Sequence, residues 1–192
     1  MCISKDMEVK KNILEAAKIV FQKWGLNKTT MEDIAHEVGK GKSTLYYYYR
    51  SKEEIFEELV KKEFASIIGK AQSASEEAVS SKDKLKKYIA TMLSEVKKTA
   101  SIFPLVKGDV KGNKEFLDRI KKMLNDEEEA IVLEILQQGL KSGELNFLKE
   151  DELIKAAKAL VGMVTGLAVY LFFDNDDNEI IDIATRLIAE GM

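Results

Sequence analysis

Gly39 and Gly41, set two residues apart in the stretch TTMEDIAHEVGKGKSTLYYYYRSKEE at 29–54, most restrict what this chain can fold into. The residues before them carry a helical apolar period, and so do those after. A glycine turn between two short helices is the heart of a helix-turn-helix, whose second helix offers an outward face to base edges. The pattern predicts sequence-specific binding to double-stranded DNA.

Local signals agree with that reading. Thr30 followed by Asp33 predicts a capped helix start, close to a capping box. Met31, Ile34, Ala35 and Val38 then form one inward stripe, and Gly39 closes the helix. The next helix is expected from Lys42 to Arg50, weakly capped by Gly41. At about 100° per residue Leu45 and Tyr49 share a face and should fill a small core with Phe21 and Ile34, while Ser43 and Tyr47 point the opposite way. Ser51 is the expected N-cap of a fourth helix carrying Ile55, Phe56, Leu59, Val60 and Phe64. Ahead of the motif, Ile13, Ala17, Val20, Phe21 and Trp24 make the stripe of a first helix that Gly25 should end.

Downstream, helices are expected over about 83–99, just after Pro104, and over 113–142, 150–173 and 177–190. One proline and 11 glycines are few for 192 residues, and no alternating β-branched run ends in Asn-Gly or Asp-Gly. A sheet has no place in such a chain. The expected fold is all-α with about nine helices, a helix-turn-helix domain over 1–52 and a larger helical domain over 53–192.

Charge is unevenly spread. Residues 1–52 carry 10 basic and six acidic side chains, a balance of +4, whereas the remainder carries 20 and 27, a balance of −7. A net charge of −3 thus conceals a basic end, and only that local field matters to a phosphate backbone about 10 Å away. Cys2 is the only cysteine, which excludes an intrachain disulfide or multi-thiolate zinc site and suits the cytoplasm. The opening MCISKDMEVKKN lacks the apolar segment of a secretory leader. The longest apolar run, Ala159–Phe173, is fifteen residues. A bilayer span needs about 20, so a buried helix and no membrane partner are expected.

Chemistry finds few residues. His36 is the sole histidine; with Asp33 it gives a D-x-x-H spacing, but a di-iron bundle would want a second such histidine. A surface histidine is the simpler reading. No G-x-S-x-G elbow or phosphate-cradling glycine loop occurs, so neither catalysis, metal nor cofactor is expected. Tyr46, Tyr47, Tyr48 and Tyr49 cannot all be core, because four consecutive helical residues point in four directions. Phenols exposed beside Lys42, Arg50 and Lys52 suit contacts with sugars, thymine methyls and phosphates. Gly162 and Gly166 thin an apolar helix that needs cover on every side, and a subunit interface involving Gly162, Gly166 and Tyr170 would supply it. Met92, Phe103, Phe116, Met123 and Tyr170 add aromatic and methionine bulk to the larger domain. Their helical spacing fits core packing, and they are also the candidates for lining an effector pocket.

The motif resembles the TetR family of bacterial transcriptional regulators, through Ile34-Ala35, Gly39, Thr44-Leu45-Tyr46, Tyr48-Tyr49 and Ser51-Lys52-Glu53. The likeness covers about 50 N-terminal residues; Gly41, Ser43 and Arg50 depart from the commonest residues at their positions. It implies a homodimer binding a palindromic operator, usually as a repressor released when a small hydrophobic effector binds the C-terminal domain. It further implies that Lys42, Ser43, Thr44, Tyr46, Tyr47 and Tyr48 lie at the DNA, that Thr30 and Lys52 meet phosphates, and that the last two helices form the dimer interface. Two other classes fit the composition: a helical enzyme or metal-binding bundle with an incidental basic end, and a dimeric interaction protein without an effector.

Overall fold

The computed structural model of the 192-residue chain describes residues 2–111, 113–173 and 179–190; the side chains of 2–4, 101, 102, 104, 116, 120, 121, 123–126, 189 and 190 are not among those described. Its elements, in chain order, are α1 (Cys2–Lys28), α2 (Met31–Glu37), α3 (Lys42–Tyr48), α4 (Lys52–Glu76), α5 (Ser81–Ile102), α6 (Pro104–Val110), α7 (Lys114–Ser142), a 3₁₀ turn (Glu150–Glu152), α8 (Leu153–Phe173) and α9 (Glu179–Glu190). No strand occurs among the described residues, and the fold is all-α with the helix-turn-helix at its N-terminal end.

Three elements differ from their sequence expectation. α1 continues past Gly25, whose φ of 78° and ψ of 176° break the helical backbone and set off a last short turn. Trp24, expected in the core stripe, is half exposed because it stands at that break, with the Lys23 ammonium 4.9 Å from its ring centroid. α3 ends at Tyr48, so Tyr49 reaches the core from extended backbone (φ −142°, ψ 132°) and not from a helix. The fifteen-residue apolar run is only part of its helix. Glu150–Phe173, 24 residues, is long and apolar enough to cross a membrane by length and composition. Within its unit, however, α8 packs Leu153, Ala157, Leu160, Val161, Val164, Ala168 and Leu171 inward.

Contacts divide the chain into two units, residues 1–63 with 101–120 and residues 64–100 with 121–192, and α4, α5 and α7 each contribute to both. In the first unit Ile13, Ala17, Phe21, Ile34, Leu45, Ile55 and Phe56 are buried, and the Phe21 and Phe56 rings meet edge to face at 5.3 Å. Ion pairs Lys18–Glu63 (2.7 Å) and Lys62–Glu15 (2.6 Å) fasten α1 to α4 along their exposed edge. α6 packs on α1.

In the second unit Leu85, Tyr88, Met92, Leu93, Leu136, Leu145, Val161 and Leu171 belong to one buried cluster. Gly139 has no room for a side chain: a Cβ there would lie 2.6 Å from Leu145 Cδ1. The expected effector residues are divided between the two units. Met92 is buried in this unit, Phe103 is buried in the other, and Tyr170 is 47% exposed. The side chains of Phe116 and Met123 lie outside the described residues. An open groove of about 780 Å³, lined by Lys86, Lys87, Ala90 and Ser94 of α5 with Ile181 and Thr185 of α9, contains none of the five.

The outer face of α8 is bare. Ile154, Met163 and Tyr170 are exposed, and Cβ atoms on Gly162 or Gly166 would meet nothing within 4 Å. α9 likewise exposes Ile183 and Leu187. Among the described residues, none covers this side of α8.

Candidate nucleic-acid interface

α2 begins with a complete capping box. The Thr30 hydroxyl accepts from the Asp33 backbone N–H at 3.2 Å, and the Asp33 carboxylate accepts from the Thr30 N–H at 2.8 Å and from its hydroxyl at 2.6 Å. Those bonds from the Thr30 side chain and then its backbone hold the Asp33 carboxyl below the usual carboxylate range. Asp33 is therefore engaged in the cap, and the D-x-x-H spacing with exposed His36 has a structural explanation.

The turn after α2 is a Schellman motif: Lys40 N–H donates to Ala35 C=O at 2.9 Å and Gly39 N–H to His36 C=O at 3.1 Å. Gly39 takes φ +66°, a left-handed conformation that a side chain would strain. Gly41 follows in extended backbone and starts α3 without a side-chain cap.

Seven residues make α3, and its burial pattern is polar outside, apolar inside. Leu45 is fully buried; just beyond the helix Tyr49 is buried too, its phenol pushed up to about 12 by burial and then by Glu58 and Glu54. Lys42 and Ser43 are exposed, Tyr46 is half exposed, and Tyr47 is 77% exposed, the most open of the four tyrosines. Thr44 and Tyr48 are half-buried on the flanks. Tyr47 and Tyr48 pack edge to face at 4.9 Å, and the Tyr48 hydroxyl donates to Asp6 of α1 at 2.9 Å. The Lys42 ammonium is 3.4 Å from Glu32 across an exposed surface, a pair too solvated to hold it tightly. One face of α3 thus gathers a cation, a hydroxyl and two phenols with open access.

Lys52 stands apart from that face. Its ammonium donates to the backbone carbonyls of Leu26 (2.9 Å), Asn27 (2.9 Å) and Thr29 (2.8 Å). Three N–H donors meet three acceptors, so the phosphate contact implied by the family pattern would compete with a satisfied site. The same loop is held from α6, where Asp109 accepts from Asn27 twice. Ser51 Oγ accepts from Glu54 N–H at 3.3 Å, the N-cap bond expected for α4.

Two features escaped the sequence reading. Asp6 and Asp109 are partners from distant segments, which no local pattern reveals. Glu128, by contrast, lies four residues before buried Val132 and seven before buried Ile135, so helical periodicity alone marks it as an inward acid.

Residues 13–59 match the family model described as bacterial regulatory proteins, tetR family. The uncharacterized HTH-type transcriptional regulator YhgD of Bacillus subtilis is 36% identical over 70 residues, 36% of this chain and 35% of that protein. The matched stretch thus spans about a third of that relative's length. Among solved structures, a transcriptional regulator from Cytophaga hutchinsonii is 28% identical, with 93% of both chains covered and a TM-score of 0.68. FadR of Bacillus subtilis in complex with stearoyl-CoA is 23% identical, with 95% of this chain and 98% of that chain covered and a TM-score of 0.67; this last likeness is one of fold.

Proposed function

The chain belongs to the TetR family of bacterial regulatory proteins, and from that premise we propose that it is a ligand-responsive transcriptional repressor, acting in the cytoplasm, that binds a palindromic operator as a homodimer. Residues 1–52 are the DNA-binding domain and 53–192 the effector-binding and dimerisation domain. The observation that carries the reading is the open face of α3, where Lys42, Ser43, Tyr46 and Tyr47 are exposed together on a helix anchored by buried Leu45. A helix presented in this way enters a major groove with its side chains at base edges and its turns near phosphates.

The exposed stripe of Gly162, Met163, Gly166 and Tyr170 on α8, with Ile183 and Leu187 exposed on α9, supports a homodimer through these two helices. Two glycines let helix backbones approach closely, and burying large apolar side chains at about 25 cal/mol per Å² favours association. A small hydrophobic effector suits the apolar second unit, and the similarly folded FadR is in complex with stearoyl-CoA, whose acyl chain is apolar. Enzymatic activity has no part in this reading.

Selection of binding sites from random duplex DNA tests it. Enrichment of a palindrome with half-sites about one helical turn apart, bound by two chains, is the expected result. Salt-dependent binding without sequence preference would refute it.

A further inference from the structure

α7 turns one row of side chains inward: Glu128, then Val132, Ile135 and Leu136, with exposures of 1%, 3%, 5% and 0%. An acid has taken a place in an apolar row. Facing the same core from α5 is Tyr88, 1% exposed in a stripe with Leu85, Ile89 and Met92. The Tyr88 hydroxyl and Glu128 Oε1 are both fully buried and neither has a hydrogen-bond partner. They are the two side-chain atoms of that kind among the described residues, whereas buried Thr29, Ser75 and Thr185 each donate a hydrogen bond to a backbone carbonyl. Native folds rarely leave such atoms unpaired, because desolvation without a partner destabilises the fold. The two helices share that core, Lys84 of α5 donates to Gln138 of α7 at 2.7 Å, and the Glu128 charge acts on Tyr88, so both unpaired groups stand in one region that a polar partner would complete.

The electrostatics narrow what that is. Burial, and then the neighbouring Glu127, push the Glu128 carboxyl up to about 8. Burial, then Glu128 and Glu127, push the Tyr88 phenol well above its ordinary range. Both groups keep their protons at neutral pH, and both are therefore O–H donors. A carboxylate or phosphate placed between them would face acids, and among the described residues no cation acts on either group. An ammonium would require Glu128 to ionise inside an apolar core. One carbonyl oxygen, with two lone pairs and no charge, matches two O–H donors as they stand.

We propose that Tyr88 and Glu128 form the polar end of the effector site, and that the effector is an apolar molecule bearing a neutral carbonyl group: an ester, thioester or amide, not a free acid or an amine. This rests on the effector-responsive reading above and names the ligand class of that site.

The test is calorimetry on the full chain without DNA, using octanamide, decanamide and dodecanamide beside the matching fatty acids and alkylamines. At least one amide should bind at least tenfold more tightly than its acid and its amine. Tyr88→Phe and Glu128→Leu should each weaken the amide about tenfold, the loss of one hydrogen bond to a buried partner. Glu128→Gln keeps an N–H donor and should hold the amide within about threefold. Both Tyr88→Phe and Glu128→Leu remove an unpaired polar atom, so the ligand-free variants should melt no lower than the parent. No binding by any amide, tighter binding by an amine that Glu128→Gln abolishes, or amide affinity indifferent to Tyr88→Phe and Glu128→Leu would each overturn the assignment. Because DNA is absent from the measurement, its failure leaves operator binding untouched. Conversely, an amide that binds as expected without releasing operator would refute the release mechanism alone.

Discussion

Asp109 of α6 holds Asn27 by both of its carboxylate oxygens: Oδ2 accepts the backbone N–H at 2.9 Å and Oδ1 the side-chain amide at 2.8 Å. The pair joins residues 82 positions apart and fixes the loop through which α1 passes to α2. Gly25, two residues earlier, leaves room for it, since a Cβ there would lie 2.6 Å from Asp109 Oδ2. Asp109→Ala should release the loop and lower stability by about 1 kcal/mol, the lower end for hydrogen bonds to a charged group because the pair is exposed. The urea midpoint measures it. An unchanged midpoint would show that the loop is held by other contacts.

Lys52→Ala separates two roles that the sequence alone conflates. With the ammonium on three carbonyls, its removal should cost about 1–3 kcal/mol of stability and weaken every DNA sequence alike. The salt dependence of binding should keep its slope. A slope smaller by about one would assign Lys52 to a phosphate, as the family pattern implies.

Tyr47→Ala should weaken specific DNA binding by about 1–3 kcal/mol and leave the melting temperature unchanged, because Tyr47 is largely open to solvent. Competition between a selected operator and scrambled DNA is the measurement. Equal affinity of variant and parent for the operator would place the reading face elsewhere.

Gly166→Leu should leave the monomer folded, since nothing lies within 4 Å of a Cβ at that position. The dimer should weaken by about 1–3 kcal/mol from overpacking where two α8 helices meet. Sedimentation equilibrium decides, and a parent chain monomeric at micromolar concentration would end the proposal of this interface.

Glu128 makes stability depend on pH with a definite sign. Its carboxyl titrates near 4.5 unfolded and about 8 folded, raised chiefly by burial. Below about 4.5 both states are protonated and the contribution is whole. As pH rises toward 8 the unfolded chain ionises first, so stability falls by up to a few kcal/mol and levels off beyond. Denaturation of parent and Glu128→Gln at several pH values should show that decline in the parent and a flatter profile in the variant. Parallel profiles would refute the buried neutral carboxyl.

What the sequence made legible follows from locality. The Thr30–Asp33 box, the Gly39 turn and the Ser51 cap are interactions within a few residues, and each stands where the sequence predicts it. Leu45 and Tyr49 were also legible as core, although Tyr49 gets there by extended backbone, a difference that periodicity cannot register. Trp24 shows the same limit: the apolar stripe runs on to it, while the backbone break at Gly25 leaves it half exposed. The three carbonyls around Lys52 and the grip of Asp109 on Asn27 depend on segments brought together by folding, and no spacing rule contains them. Met92, Phe103 and Tyr170 carry bulk, which core and pocket share; the helical period of α7 marks Glu128, whereas the missing partner of Tyr88 is visible only in the folded chain.

The division of labour on α3 has an evolutionary consequence. Its inward side rests on Leu45, with Tyr49 just past its end, whereas Ser43, Tyr46 and Tyr47 project from the fold without supporting it. On the proposed DNA-binding reading, changes at those three positions would alter which bases are met and leave the folded population almost as it was. A duplicated copy of this gene could therefore wander toward a new operator one substitution at a time, with every intermediate still a folded protein.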